Sequence, residues 1–394
     1  MTQHLREAVV DLDAVRHNTA VLKQHAGAAG VMAVVKADAY GHGLVECARA
    51  VLEGGATWLG VSLVQEALAL RAAGFTAPVL AWMIGPGEDL VPALANDVDL
   101  SVSNAPGLAE VCGAARDAGR PARVHLKIDT GMGRAGSTVA DWDELVALAA
   151  RAEQAGLVDV VAVWSHLASA DLPGDPTTDR QLAVFHDALA TVERAGIRLE
   201  VRHLANSAAA LTRPETAFDL VRPGIALYGL SPIPFERSSR QLDLRPAMTL
   251  RARLTLTKRV PAGHGVSYQH RYVTSRETTL GVVPLGYADG IPRAATNVGP
   301  VLAAGRRRTI AGVVCMDQVV LDLGDDACAA GDPVVLFGPG DDGEPTAQDW
   351  AEATGTIAYE IVSRIGPRVL RRHVGGDPRA VEPAVTVPQV VVPR

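Results

Sequence analysis

The sequence predicts an α/β protein in which an N-terminal (β/α)8 barrel, a TIM barrel, precedes a mainly antiparallel β domain. Three observations carry this. Short apolar runs alternate with Ala/Leu-rich stretches of helical spacing over the first part of the chain. The texture then turns to close-set runs rich in Val, Thr, Gly and Pro, and a polar, proline-broken segment separates the two regions.

Eight runs read as barrel strands: residues 31–35, 57–62, 78–84, 98–103, 123–128, 160–164, 200–204 and 220–225. They recur at roughly 20–40 residues, the length of a βα unit in such a barrel. Between them, residues 141–155 and 179–195 have helical apolar spacing and stop at Gly156 and Gly196. A doubly wound open sheet is the alternative arrangement of the same elements. The barrel domain is assigned to residues 1–240, with 231–245 as linker, and the β domain to 241–375, with a helix at 347–353. Residues 376–394 are Pro/Val-rich without periodicity and read as a flexible tail.

Composition narrows the function classes. The 394 residues are 48% hydrophobic with net charge −7, ample for a large core. No basic cluster points to nucleic acid, and no apolar run reaches the ~18 residues of a membrane span. The start, MTQHLREAVVDLD, lacks the apolar core of a signal peptide, and the four cysteines are far apart, in neither a CxxC nor a zinc spacing. A reduced, cytoplasmic protein without a metal site is expected. Among 37 basic residues only Lys23, Lys36, Lys127 and Lys258 are lysines, so arginine is the default surface cation. A lysine inside an apolar segment then points to chemistry that needs an amine able to lose its proton.

Barrel enzymes carry their chemistry at the C-terminal ends of the strands. Here those ends hold Lys36, then Lys127 with Arg134 shortly after, then Ser165-His166, His203 with Asn206-Ser207, and Arg222-Pro-Gly-Ile. Each has a bland reading: Lys36 as a surface lysine, His166 as a core histidine, Asn206-Ser207 as a helix cap. Their collection at one rim favours chemistry. Asn206-Ser207 and Gly224-Ile225 follow the last two strands, where barrels often bind phosphate. A phosphorylated aldehyde held by Lys36, with Arg222 and Arg134 at its ring, fits this set, and pyridoxal phosphate is that compound.

At this point the sequence resembles the alanine racemase family of fold-type III pyridoxal phosphate enzymes. The motifs are AVVKADAYGHG, KIDTGMGR, SHLASAD, ANS, VRPGIALYG, GVSYQ, GYADGIPR and CMDQ, in order along nearly the whole chain. The resemblance implies a homodimer with shared active sites. Lys36 would be the Schiff-base lysine and one catalytic base, and Tyr268 the other base, from the partner subunit. Tyr40, Ser207, Gly224, Ile225 and Tyr359 would hold the phosphate, with Asn206 beside them, and Arg222 would face the pyridine nitrogen. Arg134 and the Met316 backbone would meet the substrate carboxylate, Lys127 would position Arg134, often as a carbamate, and Tyr287 would line the entrance. The implied reaction interconverts L- and D-alanine and supplies D-alanine for peptidoglycan.

Racemisation needs a proton removed on one face of the α-carbon and returned on the other, so two bases must flank it. Nearby cations would help Tyr268 ionise, and His166, linked to Arg222, is expected to supply part of that charge. Two positions depart from the family pattern: Asp38, where Asn is common, and Val313, where many members have Arg. Alternative readings are a broad-specificity small-amino-acid or serine racemase, a fold-type III decarboxylase, and a binding protein made of the barrel alone. Arg222 argues against the decarboxylase, which usually sets a carboxylate against the ring nitrogen. The Tyr268-bearing β domain argues against the lone barrel.

Overall fold

The computed structural model describes residues 4–376, so all of the expected tail except Gly376 lies outside the described residues. The strands are β1 (Arg6–Asp11), β2 (Gly30–Val34), β3 (Trp58–Val61), β4 (Val79–Ala81), β5 (Val98–Val102), β6 (Ala122–Lys127), β7 (Val158–Trp164), β8 (Val201–His203) and β9 (Leu220–Val221). Then follow β10 (Met248–Arg253), β11 (Leu256–Val260), β12 (Gly265–Val266), β13 (Tyr272–Val273), β14 (Thr278–Val283), β15 (Pro300–Ala303), β16 (Arg306–Thr309), β17 (Val319–Gly324), β18 (Pro333–Phe337) and β19 (Leu370–Val374).

Strands β2 to β9 form one eight-stranded sheet in the order β8-β7-β6-β5-β4-β3-β2-β9, all parallel. The backbone N–H groups of Asp219 and Arg222 donate to the carbonyls of Arg202 and Ala205, which draws β9 to β8 and closes the barrel. The strands are mostly apolar because helices cover the outside and the interior is filled, with a buried polar row on β5, β6 and β8. The covering helices begin at side-chain caps. Asp11 accepts from Asp13 and Ala14 N–H ahead of α1 (Leu12–Ala26), and Thr138 accepts from Asp141 N–H ahead of Val139–Gln154. Gly156 and Gly196 follow their helices in the left-handed region, where a glycine costs least.

The second unit holds a six-stranded sheet, β16-β15-β18-β10-β1-β19, a three-stranded sheet, β11-β14-β17, and the β12-β13 ribbon. Pairing is antiparallel except between β1 and β19. Strand β1 corrects the boundary drawn from the sequence. Residues 6–11, grouped there with the barrel, pair with β10 on one side and β19 on the other. The chain therefore starts in the β unit and enters the barrel only with α1.

That crossing is stapled. The Asn18 side chain donates to the Leu227 and Arg245 carbonyls and accepts from Arg245 N–H, and it is fully buried. Gly229, at φ +81°, lies where barrel meets linker, and a Cβ there would stand 1.8 Å from the Arg245 carbonyl oxygen. Backbone cannot step aside as a side chain can. Gly229→Ala should therefore lower unfolding stability by ~2 kcal/mol or more, from strain and overpacking together. Urea denaturation checks this, and a midpoint equal to the parent's would contradict the packing described.

Candidate active site

Lys36 follows β2 and opens a turn of unusual hand. Ala37, Asp38, Ala39 and Tyr40 all have φ between +53° and +55°, a left-handed helical turn built without glycine. Each such residue costs ~1–2 kcal/mol, so the surroundings must hold the turn. The Glu66 carboxylate accepts from Ala37 N–H at 2.6 Å, and the Asp38 carboxylate accepts from Leu44 N–H at 2.8 Å. Arg371 Nε donates to the Gly41 carbonyl, and the Tyr228 hydroxyl donates to the Val34 carbonyl just ahead of Lys36. The acceptor used at Asp38 is a single side-chain oxygen, which an Asn also offers, so the first departure from the family pattern keeps this function.

The turn sets Lys36 at the barrel mouth, its Nζ 5.7 Å from the centre of the Trp82 ring. Burial, reinforced by the Arg134 charge, holds the Lys36 amine below its ordinary pKa. Lys127, at the end of β6, is buried with its Nζ 4.1 Å over the Trp164 ring. Burial and the Arg222 and Arg134 charges bring its pKa down to about 8. Arg134 lies in the exposed loop after β6, whose bend is held by Asp129 accepting from the N–H groups of Gly131, Met132 and Gly133.

Arg222, only 4% exposed, is gripped from several sides. It donates to the Ser165 and Leu204 carbonyls at 2.7 and 3.1 Å, to His203 Nδ1 at 3.1 Å and to His166 Nδ1 at 3.3 Å. Its guanidinium stands 4.8 Å over the Trp164 ring. Burial lowers the Arg222 pKa, but a guanidinium still stays protonated near neutral pH. Burial, then the charges of Arg222, Arg134 and Lys127, push His166 well below the ordinary histidine value. In this chain His166 thus favours its neutral form. With Nδ1 accepting from Arg222, its proton sits on Nε2, and it can offer only that N–H.

A polar cradle stands beside these cations. Ser207 Oγ accepts from Gly224 N–H at 2.8 Å, and a Cβ at Gly224 would come 2.3 Å from the Tyr40 hydroxyl. Gly224 thus leaves the space the phenol uses. Ile225 follows it, fully buried, and the Tyr359 ring lies 6.3 Å from that of Tyr40. Burial pushes both phenols above their ordinary pKa. The Asn206 side chain is committed as the cap of helix Ser207–Thr212, accepting from Ala209 N–H.

Tyr268, Tyr287 and Met316 belong to the β unit and are 67%, 41% and 52% exposed, so each faces outward from this chain. Tyr268 sits on a turn where Ser267, Gln269 and His270 all have positive φ. Ser267 Oγ donates to the Val313 carbonyl at 2.7 Å, and Tyr287 and Ala288 N–H donate to the Cys315 and Met316 carbonyls. The three motifs are thereby tied together. Val313 is itself buried and serves this turn through its backbone.

The fold and the rim define a two-domain barrel enzyme with a part-buried amine at its mouth and surrounding cations suited to an anionic ligand. Residues 10–232 match the family model described as "Alanine racemase, N-terminal domain", and residues 247–373 match "Alanine racemase, C-terminal domain". An alanine racemase of Frankia casuarinae is 63% identical over 367 residues, covering 93% of this chain and 96% of that one. The crystal structure of alanine racemase from D-cycloserine-producing Streptomyces lavendulae superposes with a TM-score of 0.95 at 55% identity, covering 96% of this chain and 99% of that one. That of Streptomyces coelicolor A3(2) gives 0.93 at 55% identity, covering 94% and 98%. The chain belongs to the alanine racemase family and is an isomerase of that kind.

The left-handed turn supplies a test of sign. In an ordinary helix Ala→Gly costs ~0.5–1 kcal/mol, but at φ +54° glycine escapes the Cβ penalty. Ala37→Gly, at an exposed position, should leave stability unchanged or higher in thermal unfolding. A loss of ~1 kcal/mol would show that the turn is not left-handed in solution.

Proposed function

We propose that the protein interconverts L- and D-alanine with bound pyridoxal phosphate, in a homodimer whose sites each pair Lys36 of one subunit with Tyr268 of the other. The observation that carries this reading is the meeting, at one barrel mouth, of an amine held below its ordinary pKa, a buried guanidinium and the Ser207–Gly224–Tyr40 cradle. The residues present fit the cofactor. Ser207, Tyr40, Tyr359 and the Gly224 and Ile225 backbone suit a phosphate, Arg222 suits a ring nitrogen that accepts, and Lys36 is a primary amine. Asn206 acts through the helix it caps.

When bound, pyridoxal phosphate supplies an electron sink for the α-carbon of the amino acid. The protein's own groups supply proton transfer and orientation. Lys36 takes or returns the α-proton on one face, and its depressed pKa keeps a fraction of the amine neutral for that task. Tyr268 of the partner subunit serves the other face, and its exposure on this chain leaves it available to reach a neighbour. The His166 Nε2–H is a donor for that phenol oxygen. Arg134 and the Met316 backbone orient the substrate carboxylate, and Tyr287 lines the way in. Arg222 holds its proton, so the ring nitrogen stays unprotonated and the sink is weaker, which disfavours transamination. The cellular role we assign is D-alanine supply for peptidoglycan in a bacterial cytoplasm.

The direct test is chiral chromatography after incubation with L-alanine, with L-serine and diamino acids in parallel. D-alanine should form, and no D-alanine with carbon dioxide release from a diamino acid would select the decarboxylase reading. After borohydride reduction and dialysis under denaturing conditions, the wild type should retain a covalently attached pyridoxyl group and Lys36→Ala none; retention in Lys36→Ala would refute the lysine assignment. Tyr268→Phe should slow α-proton removal from L-alanine more than from D-alanine by isotope exchange, and equal, mild effects would remove its face-specific role.

Lys127 adds a pH test. Its neutral amine can attack carbon dioxide, forming a C–N bond and releasing one proton to give a carbamate. With the pKa near 8, the neutral fraction rises with pH, so at a constant partial pressure of carbon dioxide carbamate should form faster on going from about pH 7 to about pH 9. Carbon-13 NMR under labelled carbon dioxide at fixed partial pressure reads this directly. A signal equally strong in Lys127→Met would contradict it.

A further inference from the structure

A line of buried side chains runs through the barrel interior from Arg222 toward the opposite end. Arg222 donates from its NH1 nitrogen to His203 Nδ1 at 3.1 Å. His203 Nε2 lies 2.9 Å from His125 Nδ1, and His125 Nε2 lies 3.1 Å from the Asp99 carboxylate. Exposures are 4% for Arg222, 2% for Asp99 and 0% for both histidines, so the line is shielded from bulk solvent. At the far end Asp99 also accepts from Arg123, which in turn donates to Glu200 near the N-terminal rim.

We propose that Asp99 and His125, acting through His203, are positioning residues that fix the orientation of Arg222 toward the cofactor ring. The inference rests on the reading that Arg222 faces that ring. Its physical basis is the direction of the protons. A guanidinium can only donate, so His203 Nδ1 accepts, and the His203 proton lies on Nε2. That proton points at His125 Nδ1, which must accept in its turn. The His125 proton therefore lies on Nε2 and meets the carboxylate. Every donor meets an acceptor only in this one arrangement, with both imidazoles neutral.

The surroundings keep both rings in place. His203 stacks on Trp164 at 5.5 Å and 13°, and the Trp164 indole N–H donates to Ser101 Oγ at 2.9 Å. Trp58 meets His125 edge-on at 5.5 Å. Burial and then the Arg222 charge drive His203 well below the ordinary histidine range. Burial alone would raise the Asp99 pKa, but the hydrogen bonds from His125 and Arg123 and the Arg123 charge oppose it and hold the carboxyl below its ordinary value. A negative charge thus sits at the end of a polarised chain whose other end is the guanidinium.

Asp99→Asn tests this with a defined consequence. Arg123 also demands an acceptor at position 99, so the new amide carbonyl turns to Arg123 and the amide NH2 faces His125 Nε2. His125 must then carry its proton on Nδ1, His203 likewise, and an N–H meets the Arg222 NH1 group. Adding Arg123→Gln offers that amide NH2 an acceptor and frees the amide carbonyl for His125, which restores the original order. If the chain only filled the barrel, the second substitution would worsen the first.

Nitrogen-15 NMR of the wild-type histidine rings should show His125 and His203 protonated on Nε2 alone. Either ring charged, or protonated on Nδ1, would overturn the proposal without any variant. In Asp99→Asn holoenzyme the tautomers should reverse and the visible band of bound pyridoxal phosphate should shift. In the same variant kcat for L-alanine should fall about tenfold with KM little changed, the pattern of an interaction lost after binding. Most of that kcat should return in the double variant. Wild-type band and kcat in Asp99→Asn, or a double variant slower than the single one, would overturn it. Arg222→Lys separates this from the reading beneath it. If that change leaves band and kcat untouched, Arg222 does not face the ring. If it alters them while Asp99→Asn does not, only the relay is wrong.

Discussion

The structure of the barrel mouth depends on keeping one guanidinium buried. Arg222 is 4% exposed, and its hydrogen bonds go to two carbonyls and two imidazoles, none of them a carboxylate. A buried cation without a counter-charge costs several kcal/mol unless its donors find acceptors. The last strands of the barrel supply acceptors to its NH1 and NH2 groups. The ends of β7 and β8 turn the Ser165 and Leu204 carbonyls inward, and Trp164 presents its ring face beneath the planar group. Two histidines made neutral by burial serve as acceptors.

The same constraint accounts for the rest of the mouth. Burial, and then the charges of Arg134 and, for Lys127, Arg222, depress the two lysine pKa values. Such a crowd of cations is tolerable where anions are to bind, and the proposed ligands bring a phosphate and a carboxylate. It also leaves amines that can be neutral near neutral pH. The left-handed turn after Lys36 fits this picture as strain retained at a functional point, held by Glu66, Asp38 and Arg371.

Much of this was legible in the sequence, and what was not has identifiable causes. The eight barrel strands and the two glycine-ended helices declare themselves by local period and punctuation. Strand β1 does not, because nothing local in REAVVD says which sheet it joins, and its partners lie more than two hundred residues along the chain. The hand of the Lys36 turn is invisible, since Ala-Asp-Ala-Tyr contains no glycine to mark positive φ. The lowered pKa of His166 is not legible either, because burial among cations is a property of the packed mouth and not of the SerHis pair. Asp99 and His125 could have been noticed. In VDLSV and VHLK the polar residues alternate at period two, and that places Asp99 with Ser101, and His125 with Lys127, on one face of otherwise apolar strands.

Each chain, on the proposed reading, carries half of each site. Lys36 lies at the barrel mouth, while Tyr268, Tyr287 and Met316 face outward from the β unit. The most direct measurement uses two inactive variants, Lys36→Ala and Tyr268→Phe, carrying different affinity tags and co-expressed so that the heterodimer can be isolated. One of its two sites then combines an intact Lys36 with an intact Tyr268, and the other lacks both. The heterodimer should racemise L-alanine at about half the wild-type rate, as one working site of two requires. A heterodimer as inactive as its parents would contradict shared sites and, with them, the two-base mechanism.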